Sequence, residues 1–491
     1  MRRTKILATV GPATQTPERV RELLTAGVDA FRLNLSHGSP DDHRTVLRTI
    51  HRVCERAGRE AAVVVDVQGP KLRIGDLDGG SVRLPPGGRW SLDTDPRPGD
   101  ATRTFVEIPR FGEAARPGDP VLLGDGDVEL VVERVTSRSI RTRVVNGGEV
   151  RSHAGVFLPR ARLRTSVFGP NDRAGAALAL KEGFDYLALS FVQDASDVRS
   201  ARRWLDARPG GASIGIIAKI ERAEALRAID GILEVADGIM VARGDLGIEV
   251  PLERLALEQK RLIRRAIAAG RFSIVATQML LSMLTSPRPT RAEATDVANA
   301  VLDGTDAVML SEESAVGRYP VEAVSWLDRI AAVTEEQFDA RVAREAVRAG
   351  GAAGAELSVA RAAVDLAENV GARAIVTPTH SGRTALLVAT LRPTCPVLAL
   401  SASPSVRRRL ALVRAVRSFP ALEHSNLQSL RRRSIALLRE VDIGVGPIVL
   451  TAGYPVEGRP TNLVTVVEPE AAGSGGRTRE HRRPRPGARH V

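Results

Sequence analysis

The sequence predicts an α/β protein: a closed barrel of eight parallel strands alternating with helices, an inserted all-β unit, and an open α/β unit toward the C-terminus. Three observations carry this. Apolar runs of strand length alternate with helix-patterned segments until eight strands are counted. Between the third and fourth strands the texture changes, with Pro, Gly and Asp turns separating short alternating runs. Hydrophobic residues make up 43% of the 491-residue chain but aromatics only 3%, so the interior is built from Val, Ile, Leu and Ala, as in parallel sheets covered by helices.

Taken in order, RRTKILATVGP holds strand 4–10, ending at Thr9 before a Gly11-Pro12 turn, and TPERVRELLTAG follows with helical spacing and a glycine stop. AFRLNLSHG supplies strand 30–36, PDDHRTVLRTIHRVCERAG a helix, and AAVVVDVQGP strand 61–67. Residues 71–167, with runs such as VLLGDGDVELVVERV and SIRTRVVNGG, read as the all-β insert. Alternation resumes with helix 172–182, strand 184–191, helix 195–207, strand 214–220, helix 222–235 and strand 238–244. It continues with helix 252–269, strand 272–280, helix 290–302, strand 307–314 and helix 320–341. Eight such strands over about 240 residues are what a TIM (β/α)8 barrel needs. Residues 343–357 read as a linker. Beyond it come helix 358–370, strand 372–379, helix 383–391, strand 396–402, helix 404–413, strand 415–420, helix 426–440 and strand 446–453, an open parallel sheet. The expected division is 1–69 with 168–342 for the barrel, 70–167 for a β-barrel-like insert, 343–470 for the last unit, and 471–491 as a disordered basic tail.

Every barrel strand ends in a polar group: Thr9; Arg32, Asn34 and Ser36; Asp66; Ser190; Lys219 and Glu221; Arg243 and Asp245; Thr277; Ser311 and Glu313. Active sites of this fold lie at that C-terminal edge. The densest stretch is 214–247, where IGIIAKI and GIMVARG form the strands of one βαβ unit. A period of two puts Lys219 and Glu221 on one side, and Gly244 and Gly247 free the backbone at a helix start. Glu221 and Asp245 offer the hard oxygens that a divalent magnesium ion prefers, with a cation beside them for an anionic substrate. Taken alone, these residues fit a buried ion pair as well; the polar ends on all eight strands favour an active site.

The formal charge of +12 would ordinarily raise nucleic acid as a partner. Only five of the basic residues are lysines, the arginines are scattered, and the clusters at 407–409, 431–433 and the tail lack interleaved aromatics, so no nucleic-acid partner is expected. Cys54 and Cys395 make no metal-type spacing and suit a reducing cytoplasm. No apolar run approaches the ~20 residues that span a bilayer and the N-terminus lacks a secretory region, so a soluble cytoplasmic protein without membrane contact is expected.

The blocks FRLNLSHG (31–38), AKIE (218–221), DGIMVARGDLG (237–247), ATQML (276–280), PRPTRAEATDVANAVLDGTDAVMLS (287–311) and SGRT (381–384) occur in one order, and with them the chain resembles the pyruvate kinase family from residue 4 to about 468. The resemblance implies a barrel A domain, a lid B domain, an effector-binding C domain, a homotetramer, and glycolytic phosphoryl transfer from phosphoenolpyruvate to ADP. It implies that Glu221 and Asp245 hold Mg²⁺ (or Mn²⁺), and that Lys219 lies against the transferring phosphoryl group and the enolate oxygen. The N–H groups of Gly244 and Asp245 would hold the substrate carboxylate, Arg32 the phosphate, and His37 and Arg73 the nucleotide. Thr277 and Ser311 would hold water or pass a proton, although hydroxyls capping their own loops fit equally well. Thr379, Ser381, Gly382, Arg383 and Thr384 resemble the loop for a phosphorylated effector, with a plain helix cap as the alternative.

Departures from the family pattern also carry meaning. Arg222 stands where Asn is common after Lys-Ile-Glu, and Glu312 and Ser314 replace Gly and Thr. Gly124 beside Asp125-Gly126, and FLPRARLR (157–164) for Asn-Leu-Pro-Gly, leave the lid's nucleotide contacts open. Lys71 replaces the Glu of Gly-Pro-Glu-Ile-Arg. In K⁺-requiring members that Glu lies near a site resembling Asn34, Ser36, Asp66 and the Val67 carbonyl. A lysine there supplies a permanent charge and repels K⁺, so no K⁺ requirement is expected, unless Lys71 points to solvent. Two rivals remain at this point. A Mg²⁺-dependent aldolase or lyase of 2-oxo acids would not need the lid, Arg32, His37 or Arg73. A sugar-phosphate sensor would have little use for Lys219, Glu221 and Asp245 together.

Overall fold

A computed structural model describes residues 2–70, 72–108, 113, 115–124, 126–159, 167–349, 354–421, 426–453 and 461–469. Lys71, Asp125, most of 157–164 and the tail 471–491 therefore lie outside the described residues.

Eight strands close into a parallel barrel: Lys5–Thr9, Ala30–Asn34, Ala62–Asp66, Tyr186–Leu189, Gly215–Ile220, Gly238–Ala242, Phe272–Ala276 and Ala307–Leu310. Each lies beside its predecessor among these eight, and the last returns to the first with Ala307 opposite Lys5. Side chains alternate between two cores, as period two requires. Leu7, Val64, Tyr186, Ile217, Met240, Ile274 and Met309 fill the inside, while Ile6, Val63, Leu187, Ile216, Ile239, Val275 and Val308 meet the surrounding helices. Those helices begin where the sequence offers caps. Ser39 and Thr290 accept the N–H of Asp42 and Glu293, whose carboxylates reach back to the cap N–H.

The strands stop earlier than the apolar runs suggest, because the chain turns as soon as its polar end is reached. The seventh, expected to 280, ends at Ala276, where Thr277 (φ 72°) and Gln278 (φ 54°) enter the left-handed region. Helix 222–235 is two helices, Ala223–Arg227 and Ile229–Val235, broken at Ala228. The expected linker at 343–357 is corrected. Ala340–Ala349 and Ala355–Asn369 are helices, the first burying Ala343 and Val347 against Leu252–Ala268. Alanine, read as linker composition, is the best helix former.

Between 70 and 167 a six-stranded and a two-stranded sheet enclose a separate core around fully buried Trp90. No closed barrel forms there among the described residues; isolated bridges such as Arg73 with Gly155 and Ile74 with Val106 line its seams. The C-terminal sheet has four parallel strands, Ala374–Pro378, Val397–Ser401, Val416–Pro420 and Ile448–Ala452. Its fifth, Leu463–Val467, runs antiparallel on the edge and corrects the all-parallel expectation.

This last unit is bolted to the base of the barrel. Arg392 meets Asp306 at 2.8 and 2.9 Å, both side chains being only 2% exposed. Arg414 reaches Glu335 (3.2 Å) and Thr4 (2.5 Å). The 407–409 arginine run, a bare cluster in the sequence, is used here: Arg407 pairs with Glu60 (2.6 Å), Arg408 with Asp185 (2.9 Å), and the Arg409 carbonyl accepts the Tyr186 hydroxyl. Ala411 and Leu412 pack into the interior cluster from below.

Candidate active site

At the opposite, C-terminal edge the third, fourth and fifth strands bring one tight cluster together. Lys219 Nζ lies 3.3 Å from Asp66 Oδ1 and 3.0 Å from Glu221 Oε1, and donates to Ser190 Oγ at 2.7 Å. Asp66 Oδ2 accepts Arg32 Nε at 2.7 Å, so one carboxylate holds two cations apart. A further Arg32 nitrogen donates to Thr9 Oγ1 (3.1 Å). Asp66 and Glu221 are 2% and 1% exposed, whereas Arg32 and Lys219 keep 11% and 12%. The carboxylates form the floor, and an arriving anion meets the cations.

The electrostatics follow from that layering. Burial alone would raise the Asp66 carboxyl, but Lys219 and then Arg32 hold it below the usual range. Burial works against the Lys219 ammonium, yet Asp66 and Glu221 more than offset it, so the lysine stays charged. For Glu221 burial wins over Lys219 and, reinforced by Asp245, raises the carboxyl. A desolvated carboxylate repelled by a neighbour is relieved by a divalent cation, so Glu221 and Asp245 fit a hard metal ion.

The flanking loops fix this geometry. Glu221 Oε2 accepts the N–H of Phe191, a residue in the left-handed region at φ 58°. Gly69 (φ 65°) lies where an added Cβ would come within 2.9 Å of Ser190 Cβ, so only glycine lets this turn press on Ser190. The Gly244 N–H, expected to face substrate, donates to Thr277 Oγ1 at 2.8 Å, while that hydroxyl donates to the Ala276 carbonyl at 2.6 Å. Arg243 Nη2 holds the Thr277 carbonyl (2.7 Å), with Nη1 on Asp296 (2.6 Å). A β-branched residue with positive φ costs about 1–3 kcal/mol, which Arg243 and Gly244 together sustain. Ser311 is tied in through Glu313, whose buried carboxylate accepts the Ser311 N–H (2.8 Å) and the Leu280 N–H (3.2 Å).

Other expected residues stand apart from this network. His37 is exposed, its carbonyl 2.8 Å from His43 Nε2, and exposed Arg73 donates to the His153 carbonyl at 2.9 Å. Asn34 Oδ1 accepts the Ser36 N–H (3.1 Å), Asn34 lies opposite Asp66 in register, and the Val67 carbonyl accepts Ser190 Oγ (2.8 Å). In the C-terminal unit Thr379 Oγ1 accepts the Gly382 N–H (3.0 Å) and Ser381 Oγ the Arg383 N–H (3.4 Å). Arg383 pairs with Glu356 and Thr384 with Thr461, both at 2.7 Å. Sequence reasoning saw Ser190, Arg243 and Glu313 only as polar strand ends; their partners lie on other strands and loops.

Comparison with known proteins agrees along the chain. Residues 1–324 match the family model for the pyruvate kinase barrel domain and 357–467 that for its alpha/beta domain. A pyruvate kinase of Methylorubrum extorquens is 40% identical over 472 residues, covering 95% of this chain and 97% of the relative. One of Agrobacterium vitis is 42% identical over 460 residues, 92% and 95% of the two chains. The crystal structure of a pyruvate kinase from Cryptosporidium parvum superposes with a TM-score of 0.89 at 33% identity, covering 95% of this chain and 96% of that one. With both units matched and relatives aligned over more than nine-tenths of both chains, this chain belongs to the pyruvate kinase family.

Proposed function

We infer that this enzyme transfers the phosphoryl group of phosphoenolpyruvate to ADP, giving pyruvate and ATP, at the cluster around Lys219. The observation that carries the reading is the pair of cations, Arg32 and Lys219, held on either side of one buried carboxylate at the barrel's C-terminal edge. Phosphoryl transfer asks a protein mainly to position groups and neutralise charge on the moving oxygens. Arg32 supplies a fork suited to phosphate, and Lys219 a compact charge that follows the oxygen on which negative charge develops. Both are pre-set by Asp66, so little reorganisation is needed as the reaction proceeds. Glu221 and Asp245 would hold a divalent ion, Mg²⁺ or Mn²⁺, whose Lewis acidity polarises substrate oxygens when bound. Thr277 and Ser311 would hold the water or pass the proton that converts enolpyruvate to pyruvate.

The remaining roles are part of the same reading. His37 and Arg73 serve the nucleotide, the insert 70–167 acts as its lid, and Thr379, Ser381, Gly382, Arg383 and Thr384 take a phosphorylated effector in a cytoplasmic homotetramer. Lys71, which lies outside the described residues, stands in the sequence where the family's Glu accompanies the K⁺ site of Asn34, Ser36, Asp66 and Val67; a lysine in that place would supply a fixed charge, so no K⁺ requirement is expected. A coupled assay with phosphoenolpyruvate, ADP and Mg²⁺ tests the main reading: pyruvate is expected at a rate proportional to enzyme, and its absence at saturating substrates overturns it.

A further inference from the structure

Glu221 and Asp245 belong to different elements. One lies just past the strand Gly215–Ile220, the other in the first turn of the helix Arg243–Glu249, so an ion shared between them needs their spacing fixed. Each is anchored to a neighbour of its own. Glu221 Oε2 accepts the Phe191 N–H at 2.7 Å, while Arg243 holds the start of the helix to Asp296 and to the Thr277 carbonyl. Neither contact ties one carboxylate-bearing segment to the other. Arg222 and Glu249 do. Arg222 directly follows Glu221, and Glu249 ends the helix one turn after Asp245. Arg222 Nη1 stands 3.3 Å from Glu249 Oε1, with the side chains 19% and 2% exposed. The same carboxylate receives the N–H of Ala223, the next residue along, and the Arg222 Nε edge faces Glu224 at 3.5 Å. Burial pushes the Glu249 carboxyl up to about 7, and Arg222 is the strongest group opposing that rise.

We propose that Arg222 and Glu249 are positioning residues, whose ion pair braces the segment of Glu221 against the helix of Asp245 and so sets the spacing at which these two carboxylates hold the divalent ion. The inference rests on the metal role given to Glu221 and Asp245 above. Its physical reason is repulsion. Glu221 and Asp245 oppose each other's charge before an ion arrives, so an unbraced pair would relax apart and the ion would have to draw it together again. A guanidinium suits the task, because its planar fork faces Glu249 on one helix and Glu224 on another at once. The arginine is a departure from the family's common Asn, which carries no charge to pair with Glu249.

Titration of the full chain with Mn²⁺ at about pH 8, where Glu249 is ionised, reads this without catalysis when the free ion is followed by electron paramagnetic resonance. Arg222→Met is expected to weaken Mn²⁺ binding by about tenfold or more, the scale of a lost outer partner of a metal site. Its urea midpoint should fall as well, because Glu249 is left buried without its cation. Arg222→Met/Glu249→Gln removes that charge, and should regain the urea midpoint but not the Mn²⁺ affinity. Glu221→Gln separates the brace from the reading beneath it, and should weaken Mn²⁺ binding further than Arg222→Met. Unchanged binding in Glu221→Gln, or no saturable binding to the unaltered chain, overturns the metal assignment and the brace with it. Weakened binding in Glu221→Gln beside unchanged binding in Arg222→Met overturns the brace alone. So does Mn²⁺ affinity that returns with stability in the double variant, the behaviour of a merely structural pair.

Discussion

Replacing Lys219 with methionine removes a charge while keeping most of the side chain's length, and the surrounding contacts allow two consequences to be worked out. Lys219 Nζ is shared by Asp66, Glu221 and Ser190. Without it, among the described residues Asp66 keeps Arg32 as its one cation and Glu221 keeps the Phe191 N–H but no cation, though both stay almost fully buried. Orphaning a buried ion in this way costs about 3–5 kcal/mol of stability. The chemical cost is separate. A charge that acts on the transition state is worth at least about 4 kcal/mol, so turnover in the coupled assay should fall by at least about 1000-fold. The Michaelis constant for phosphoenolpyruvate should move far less, because Arg32 remains. Adding Glu221→Gln to Lys219→Met removes the carboxylate left without a cation, and should recover part of the stability but none of the turnover. Urea unfolding alongside steady-state kinetics separates the two effects. Near-native turnover in Lys219→Met, or recovery of turnover along with stability in the double variant, refutes the role given to Lys219.

Two further outcomes are expected. Activity in sodium- and potassium-free buffer should match that with KCl at equal ionic strength, and Lys71→Glu should create a K⁺ requirement; strong K⁺ activation of the unaltered enzyme counts against a fixed charge at Lys71. Arg392→Met should destabilise the fold by about 3 kcal/mol, the low end for a broken buried pair, since Asp306 keeps the N–H groups of Ser273 and Arg414. Measured by urea midpoint at constant slope, a loss under about 1 kcal/mol would mean that the Arg392–Asp306 pair contributes little.

Much of this was legible in the chain because a parallel barrel writes its strands as apolar runs and its working edge as their polar ends. Asp66, Lys219 and Glu221 are found that way, and the structure brings both carboxylates within reach of the Lys219 ammonium. Legibility stops where a role depends on a partner distant in sequence. Ser190 matters because Lys219 and the Val67 carbonyl meet on it, and nothing local to Leu189-Ser190-Phe191 announces that. The left-handed turn at Thr277 has no sequence mark either, since a β-branched residue is a poor candidate for positive φ. Arg407, Arg408 and Arg409 show in the sequence only as a basic cluster without aromatics, because their partners, at Glu60, Asp185 and Tyr186, lie far upstream. Helix Ala340–Ala349 was missed for a compositional reason, alanine counting toward a linker and a helix alike.

The seal at the barrel's base joins segments about 410 residues apart in the chain. The Arg3 carbonyl accepts the Ala415 N–H at 2.9 Å, and Lys5 Nζ donates to the Val416 carbonyl at 2.7 Å across 411 residues of chain. Translation proceeds at roughly 5–20 residues per second, so the first strand waits on the order of 20–80 s for these partners to leave the ribosome. Throughout that interval Asp306, Glu335 and Asp185, as each emerges, lack the arginines that later neutralise them, and Ala411 and Leu412 are not there to plug the floor. A barrel closed before residue 416 is made would therefore be open at its base. A chain that stops before residue 416 would lack these contacts at the base of its barrel as well as its last unit.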